Sequence, residues 1–170
     1  MITGERFVNR AGLNVIRVLF LCLGNICRSP MAEAVLRDLL KKEQLSDKIE
    51  VDSAGLGHWH IGEVPHEGTR NMLDKQHISY EGMKARQLHT RDFSDFDYLI
   101  VMDDQNIKAL KEFGENKDYI MVAKLMDFVD EAVDHNVPDP YFTGNFAYTY
   151  DLVSTGCQAL LKYMKDEHNL

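Results

Sequence analysis

The sequence contains no apolar run of the about 18 residues that a membrane-spanning helix needs. Its longest, Val18 to Leu23, is the length of a strand. Cysteine is scarce, with Cys22, Cys27 and Cys157 only; an odd number at such wide spacing argues against both a secreted disulfide framework and a four-ligand zinc site. Basic residues are outnumbered, 19 Lys and Arg against 27 Asp and Glu, for a net charge of −8. A nucleic-acid binder needs a basic face, so that class is disfavoured, whereas a nest of backbone amides binds a small anion even in an acidic protein. No Gly-x4-Gly-Lys-Ser/Thr run occurs, which excludes a nucleotide-binding P-loop, and no Cys-x2-Cys pair occurs, which excludes a thioredoxin motif. Internal repeats, linkers and low-complexity stretches are absent too. Residues 1–14 carry Arg6 and Arg10 without an apolar segment, and so read as a flexible polar extension rather than a secretory leader. The expectation is a cytoplasmic protein with reduced thiols and neither a membrane nor a nucleic-acid partner.

What is present is an ordinary globular composition, 45% hydrophobic and 27% charged, at a length of 170 residues that fits a single domain over 15–170. Residues 15–21 are dense in Val, Ile, Leu and Phe and predict a buried strand. A loop over 22–28 follows, then Ser29 as an N-cap and Pro30 at the first helical position. Met31, Val35, Leu36, Leu39 and Leu40 recur at helical spacing, so a helix is expected from Pro30 to the Lys41-Lys42 region. Further strands are predicted at 49–54, 97–102 and 119–122, and helices at 66–76, 104–113 (stopped by Gly114) and 145–165. Residues 55–65 and 137–141 read as loops. Strands and helices that alternate at short intervals imply an open α/β sheet with helices on both faces.

In such sheets ligands bind beyond the carboxyl ends of the strands. The loop after the first predicted strand reads Cys22-Leu23-Gly24-Asn25-Ile26-Cys27-Arg28-Ser29. A loop curled at a helix N-terminus turns backbone N–H groups and the helix dipole towards an anion. Gly24 and Asn25 tolerate the left-handed conformations such a nest requires. Arg28 presents two parallel donors suited to phosphate oxygens, and the same positive field favours a thiolate at Cys22. A thiolate beneath a bound phosphate is placed for in-line attack, and the Ser29 hydroxyl is available to assist the departure of sulfur. Cys-x5-Arg alone is a weak signal, since a chain of this composition contains about 0.14 such matches by chance. The strand before it, the helix start after it and the Gly-Asn within it supply the context.

Residues 18–35, VLFLCLGNICRSPMAEAV, closely resemble the signature of the low-molecular-weight protein-tyrosine phosphatases. The family's second signature, Asp-Pro-Tyr, matches Asp139-Pro140-Tyr141, and Ser53-Ala54-Gly55 matches a third stretch. The resemblance runs from about Val15 to the C-terminus. It implies a four-stranded parallel sheet with the phosphate loop after the first strand, and metal-independent hydrolysis of phosphotyrosine in proteins through a cysteinyl phosphate. Cys22 is the implied nucleophile, Arg28 the phosphate clamp and Asp139 the acid and later the base; on residue type alone Asp139-Pro140 equally starts a turn. Leu23 to Ser29 form the implied phosphate loop, braced by Asn25 with Ser53 behind it, and Trp59 and Tyr141 wall the cleft for an aromatic substrate. No cofactor is implied. Phosphotyrosine proteins are the implied substrates, inorganic phosphate and other oxyanions the implied inhibitors, and a monomer the implied state.

Cys27 matches a family cysteine able to pair with the nucleophile, and reads otherwise as a small buried hydrophobe. Phe142 stands where many members have a second tyrosine, which removes regulation through phosphorylation at that position. His58, His60 and His66 give no fixed metal geometry and read as solvated residues near the cleft rim. Cys157 reads as core. Three rivals are weaker. A thioredoxin-coupled arsenate reductase of this fold needs two further cysteines that residues 70–110 lack. A protein-arginine phosphatase tends to carry threonine where Ile26 stands. A non-catalytic phosphate-binding module would not be expected to retain Cys22 and Asp139 together with Arg28.

Overall fold

The computed structural model describes residues 14–113 and 120–170. The predicted extension over 1–14, all but its last residue, and the predicted helix stop at Gly114 and strand start at Tyr119 lie outside them. Four strands, β1 (Ile16–Cys22), β2 (Ile49–Gly55), β3 (Tyr98–Val101) and β4 (Met121–Lys124), pair in parallel in the order β2-β1-β3-β4. Among the described residues six helices join or follow them: α1 (Arg28–Lys42), α2 (Glu67–Lys75), α3 (Asp92–Asp95), α4 (Asp104–Glu112), α5 (Pro140–Thr143) and α6 (Phe146–His168). One turn of 3-10 helix spans Leu125–Phe128.

The side-chain alternation of β1 assigns the two faces. Val18, Phe20 and Cys22 join the core built with Met31, Val35 and Leu36 of α1 and Val153, Leu160 and Met164 of α6. Leu19 and Leu21 point the other way, into a smaller core with Phe93 of α3 and Leu110 of α4. Both faces of β1 are therefore covered, which is why its apolar run is nearly continuous. The one interruption, Arg17, lies over the Phe96 ring at 4.8 Å and pairs with Glu50. The chain leaves β1 to form β2 on one side and then returns to form β3 on the other. The C-terminal end of β1 is thus the switch point of the sheet, where a crevice opens. Among the described residues, no helix is long and apolar enough to cross a membrane.

Two local expectations are corrected. α1 begins at Arg28, with Cys27 as its cap residue and no side-chain cap, so Ser29 is not the N-cap and Pro30 is not the first helical residue. The Ser29 hydroxyl is engaged elsewhere, as described below. The stretch after Asp139 is not all loop: Asp139 accepts from Tyr141 N at 3.1 Å and caps the single turn of α5, with φ preset by Pro140.

Candidate active site

β1 delivers Cys22 to the crevice, and the chain then curls through 23–27 into α1. Four carbonyls of this loop are tied outward. Cys22 O accepts from Leu56 N at 2.9 Å, Leu23 O from Gly57 N at 2.8 Å and Ile26 O from His66 N at 2.7 Å. Cys27 O accepts from the Thr69 hydroxyl at 3.1 Å. No described acceptor takes up the amides of Leu23 to Cys27, which leaves these donors for an anion.

Asn25 holds the curl. It is the loop residue in the left-handed region, at φ 57, while Gly24 is not, contrary to expectation. Gly24 is closely approached instead: a Cβ there would lie 3.0 Å from the His60 ring, which would have to give way by a few tenths of an ångström. Asn25 Oδ1 accepts from Arg86 N at 3.0 Å, which fixes the amide's orientation. Both Nδ2 hydrogens are then used, one on Ser29 Oγ at 2.8 Å and one on Ser53 Oγ at 2.9 Å. Each serine has one hydrogen left to give. Ser53 donates to Glu33 Oε1 at 2.7 Å, and Ser29 faces Cys22 Sγ at 2.9 Å.

Arg28 is buried beneath the loop, and its guanidinium donates to Asp103 Oδ2 (2.5 Å), to Val137 O (2.9 Å) and to Asp139 Oδ2 (3.5 Å). Burial opposes the charge, but Cys22, Asp103 and Asp139 outweigh it and raise the pKa above its ordinary value. Arg28 Nε is the one buried side-chain N or O atom without a hydrogen-bond partner among the described residues. The arginine at a helix N-terminus, unfavourable against the dipole alone, is thus matched by two carboxylates. Asp103, which also caps α4 by accepting from Asn106 N at 2.8 Å, carries no motif in the sequence.

Above the loop lies a cleft of ≈ 200 Å³. Cys22, Gly24, Ile26 and Cys27 form its floor side, and Asp139, Trp59 and Tyr141 are among its walls. Trp59 is 61% exposed and Tyr141 55%, so neither aromatic is held in the core. A flat ring carrying an oxyanion matches this combination of apolar walls and a donor-rich base.

The sequence pattern of the family described as low molecular weight phosphotyrosine protein phosphatase matches residues 17–170. The chain belongs to that family. It is 50% identical over 156 residues to the low molecular weight protein-tyrosine-phosphatase YfkJ of Bacillus subtilis, a match covering 92% of this chain and all of the relative. It is 43% identical to PtpA of Staphylococcus epidermidis, over 92% of this chain and 98% of that protein. The crystal structure of YfkJ superposes with a TM-score of 0.87 at 49% identity, covering 91% of this chain and 98% of that one. A Drosophila arginine phosphatase superposes at 0.81 with 33% identity, over 88% and 98%.

The phosphatase fold brings together all the residues that the sequence singled out: Cys22, Leu23, Gly24, Asn25, Ile26, Cys27, Arg28 and Ser29 in the loop, Ser53 behind it, and Trp59, Asp139 and Tyr141 around the cleft. Two residues that the sequence placed only near the rim or beside Tyr141 also line it. His60 lines the cleft with its Nδ1 2.8 Å from Glu63 Oε2, and Phe142, 76% exposed, packs edge-on against Tyr141. The three histidines have separate partners: His58 stacks on Trp59, His60 pairs with Glu63, and His66 caps α2. Among the described residues no His, Cys, Asp or Glu cluster is arranged to hold a metal ion. Burial, then the charges of Cys22 and Asp139, push the Cys27 thiol up to about 12. Cys157 is fully buried against Ala32 O.

Proposed function

We propose that the chain hydrolyses phosphotyrosine in proteins with Cys22 as nucleophile, Arg28 as phosphate clamp and Asp139 as acid and then base. The family's members are phosphoric monoester hydrolases that work through a cysteinyl phosphate. One observation carries the assignment of roles. Cys22 and Asp139, far apart in the chain, face the same cleft, while Arg28 joins the base of that cleft to Asp139.

Phosphate oxygens take up the loop amides, and Arg28 Nε gains an acceptor. Cys22 Sγ forms a bond to phosphorus as the bond to the tyrosine oxygen breaks, and the acid form of Asp139 gives its proton to that oxygen. Asp139, now a carboxylate, takes a proton from water. The water oxygen bonds to phosphorus, the S–P bond breaks, and the Ser29 hydroxyl stabilises the returning thiolate. Charge stabilisation comes from amides and a guanidinium, so no step calls for a metal.

A branched Ile26 side chain on the cleft floor suits a flat aryl ring, and this supports phosphotyrosine over phosphoarginine. Inorganic phosphate and other oxyanions are the corresponding inhibitors. The cleft is complete within one chain, which suits a monomer, and three unpaired cysteines suit the reducing cytoplasm. The test is hydrolysis of an aryl phosphate in EDTA by wild type and by Cys22→Ser, with a phosphotyrosine and a phosphoarginine peptide in parallel. Turnover of the aryl phosphate and the phosphotyrosine peptide by wild type alone is the expected result. A folded, reduced wild type without turnover contradicts it, and preference for phosphoarginine moves the substrate assignment.

A further inference from the structure

His66 touches three parts of the site at once. Its backbone N–H donates to Ile26 O of the phosphate loop at 2.7 Å. Its Nδ1 accepts from Gly68 N at 3.0 Å and caps α2, which fixes the proton of the neutral ring on Nε2. Its ring stacks on Phe146, with centroids 5.0 Å and planes 17° apart, and meets the edge of Tyr141 at 6.1 Å and 80°. Tyr141 and Phe146 bracket the segment that follows Asp139. The stack also depends on Gly68, where a Cβ would come within 2.5 Å of three atoms of the Phe146 ring.

The segment needs such a support. α5 is a single turn, too short to persist by itself, and Tyr141 and Phe142 are mostly exposed. We infer, resting on the acid role proposed above for Asp139, that His66 is a positioning residue whose ring holds the Asp139 segment in register with the phosphate loop. Its backbone grips the loop that carries the phosphate, and its ring grips the segment that carries the proton. Arg28 ties the carboxylate itself to the cleft base, and His66 ties the segment around it to the phosphate loop.

The dependence on leaving group separates positioning of the acid from general support of the fold. A p-nitrophenolate leaves readily without a proton, whereas phenolate, with a pKa of about 10 like tyrosine, needs one. His66→Asp keeps a capping acceptor and removes the ring, and His66→Phe keeps a ring and removes the cap. We expect the ratio of kcat/KM for p-nitrophenyl phosphate to that for phenyl phosphate to rise about tenfold in His66→Asp, through slower phenyl phosphate hydrolysis. His66→Phe is expected to melt earlier and keep the wild-type ratio. His66→Asn, a second capping residue, serves if His66→Asp does not fold. An unchanged ratio in the capping variant, whether or not both rates fall, overturns the inference, as does an equal shift in His66→Phe. Asp139→Asn in the same assay isolates the underlying reading: if it too leaves the ratio unchanged, the acid role of Asp139 fails first.

Discussion

Ser29 Oγ lies 2.9 Å from Cys22 Sγ while it accepts a hydrogen bond from Asn25 Nδ2 at 2.8 Å, so when Cys22 is a thiolate the hydroxyl is placed to donate its single hydrogen to the sulfur. A hydroxyl aimed this way stabilises a thiolate both before attack and as it leaves phosphorus. Ser29→Ala is expected to slow the second step more than the first, lowering kcat about tenfold. Stopped-flow release of p-nitrophenol checks this: the variant should show a larger initial burst relative to its steady state than wild type. Equal burst and steady-state losses would place the hydroxyl outside the chemistry.

Asn25 combines a left-handed backbone with three side-chain hydrogen bonds, and no other residue type supplies both. Replacement by alanine strands the Arg86 amide and imposes about 1–2 kcal/mol of backbone strain. Each lost hydrogen bond adds about 1 kcal/mol. Asn25→Ala should therefore unfold at clearly lower urea, and a loop displaced by an ångström should lose about 100-fold in kcat/KM. Urea titration alongside the kinetics tests both.

Asp103 holds Arg28 through Nη1 while capping α4. Asp103→Asn retains a good cap, so α4 should persist, but the guanidinium loses a charged anchor. Inhibition by inorganic phosphate should weaken about tenfold, in keeping with loss of one charge-assisted hydrogen bond. A thermal melt close to wild type would separate this from general destabilisation.

Alkaline stability follows from Cys27. Its thiol stands at about 12 in the folded protein against an ordinary 9.0, raised by burial and then by the charges of Cys22 and Asp139. Between those values the unfolded chain releases a proton that the folded one keeps. The contribution is therefore complete below pH about 9 and is lost as pH rises towards about 12. Burial raises Tyr98 and Cys157 in the same direction, so the contrast with Cys27→Ala isolates one thiol. Above pH about 9 the urea midpoint of wild type should fall more steeply than that of the variant. Parallel slopes would contradict the assignment.

The phosphate loop proposed for the site is legible because strand, loop and helix start are contiguous, and each local choice points to the same anion nest. Asp139 was legible only through the second motif, since Asp-Pro is also a turn, and in the structure it performs that local task as well by capping α5. By residue type Ser29 is an N-cap candidate. Tertiary contact with Asn25 and Cys22 claims its hydroxyl instead, and the helix starts at Arg28. Asp103 is not legible as a site residue, and His60 and His66 are legible only as residues near the cleft rim. Their partners lie 75, 3 and 40 positions away in the chain, and nothing local marks an aspartate cap as belonging to a cleft or says which contacts the histidines make. The strand expected at 119–122 is observed as Met121–Lys124, because this stretch is only half-buried and has no clear alternation to mark its ends.

The most direct test of the central claim is to trap the intermediate. Asp139→Ala, which lacks the proposed base, should be mixed with p-nitrophenyl phosphate, quenched rapidly in acid, digested, and the phosphorylated peptide sequenced by mass spectrometry. A single phosphoryl group on Cys22, absent in Cys22→Ser, is the predicted result. Phosphate on another residue, or steady turnover with no covalent phosphate at any time, would contradict it.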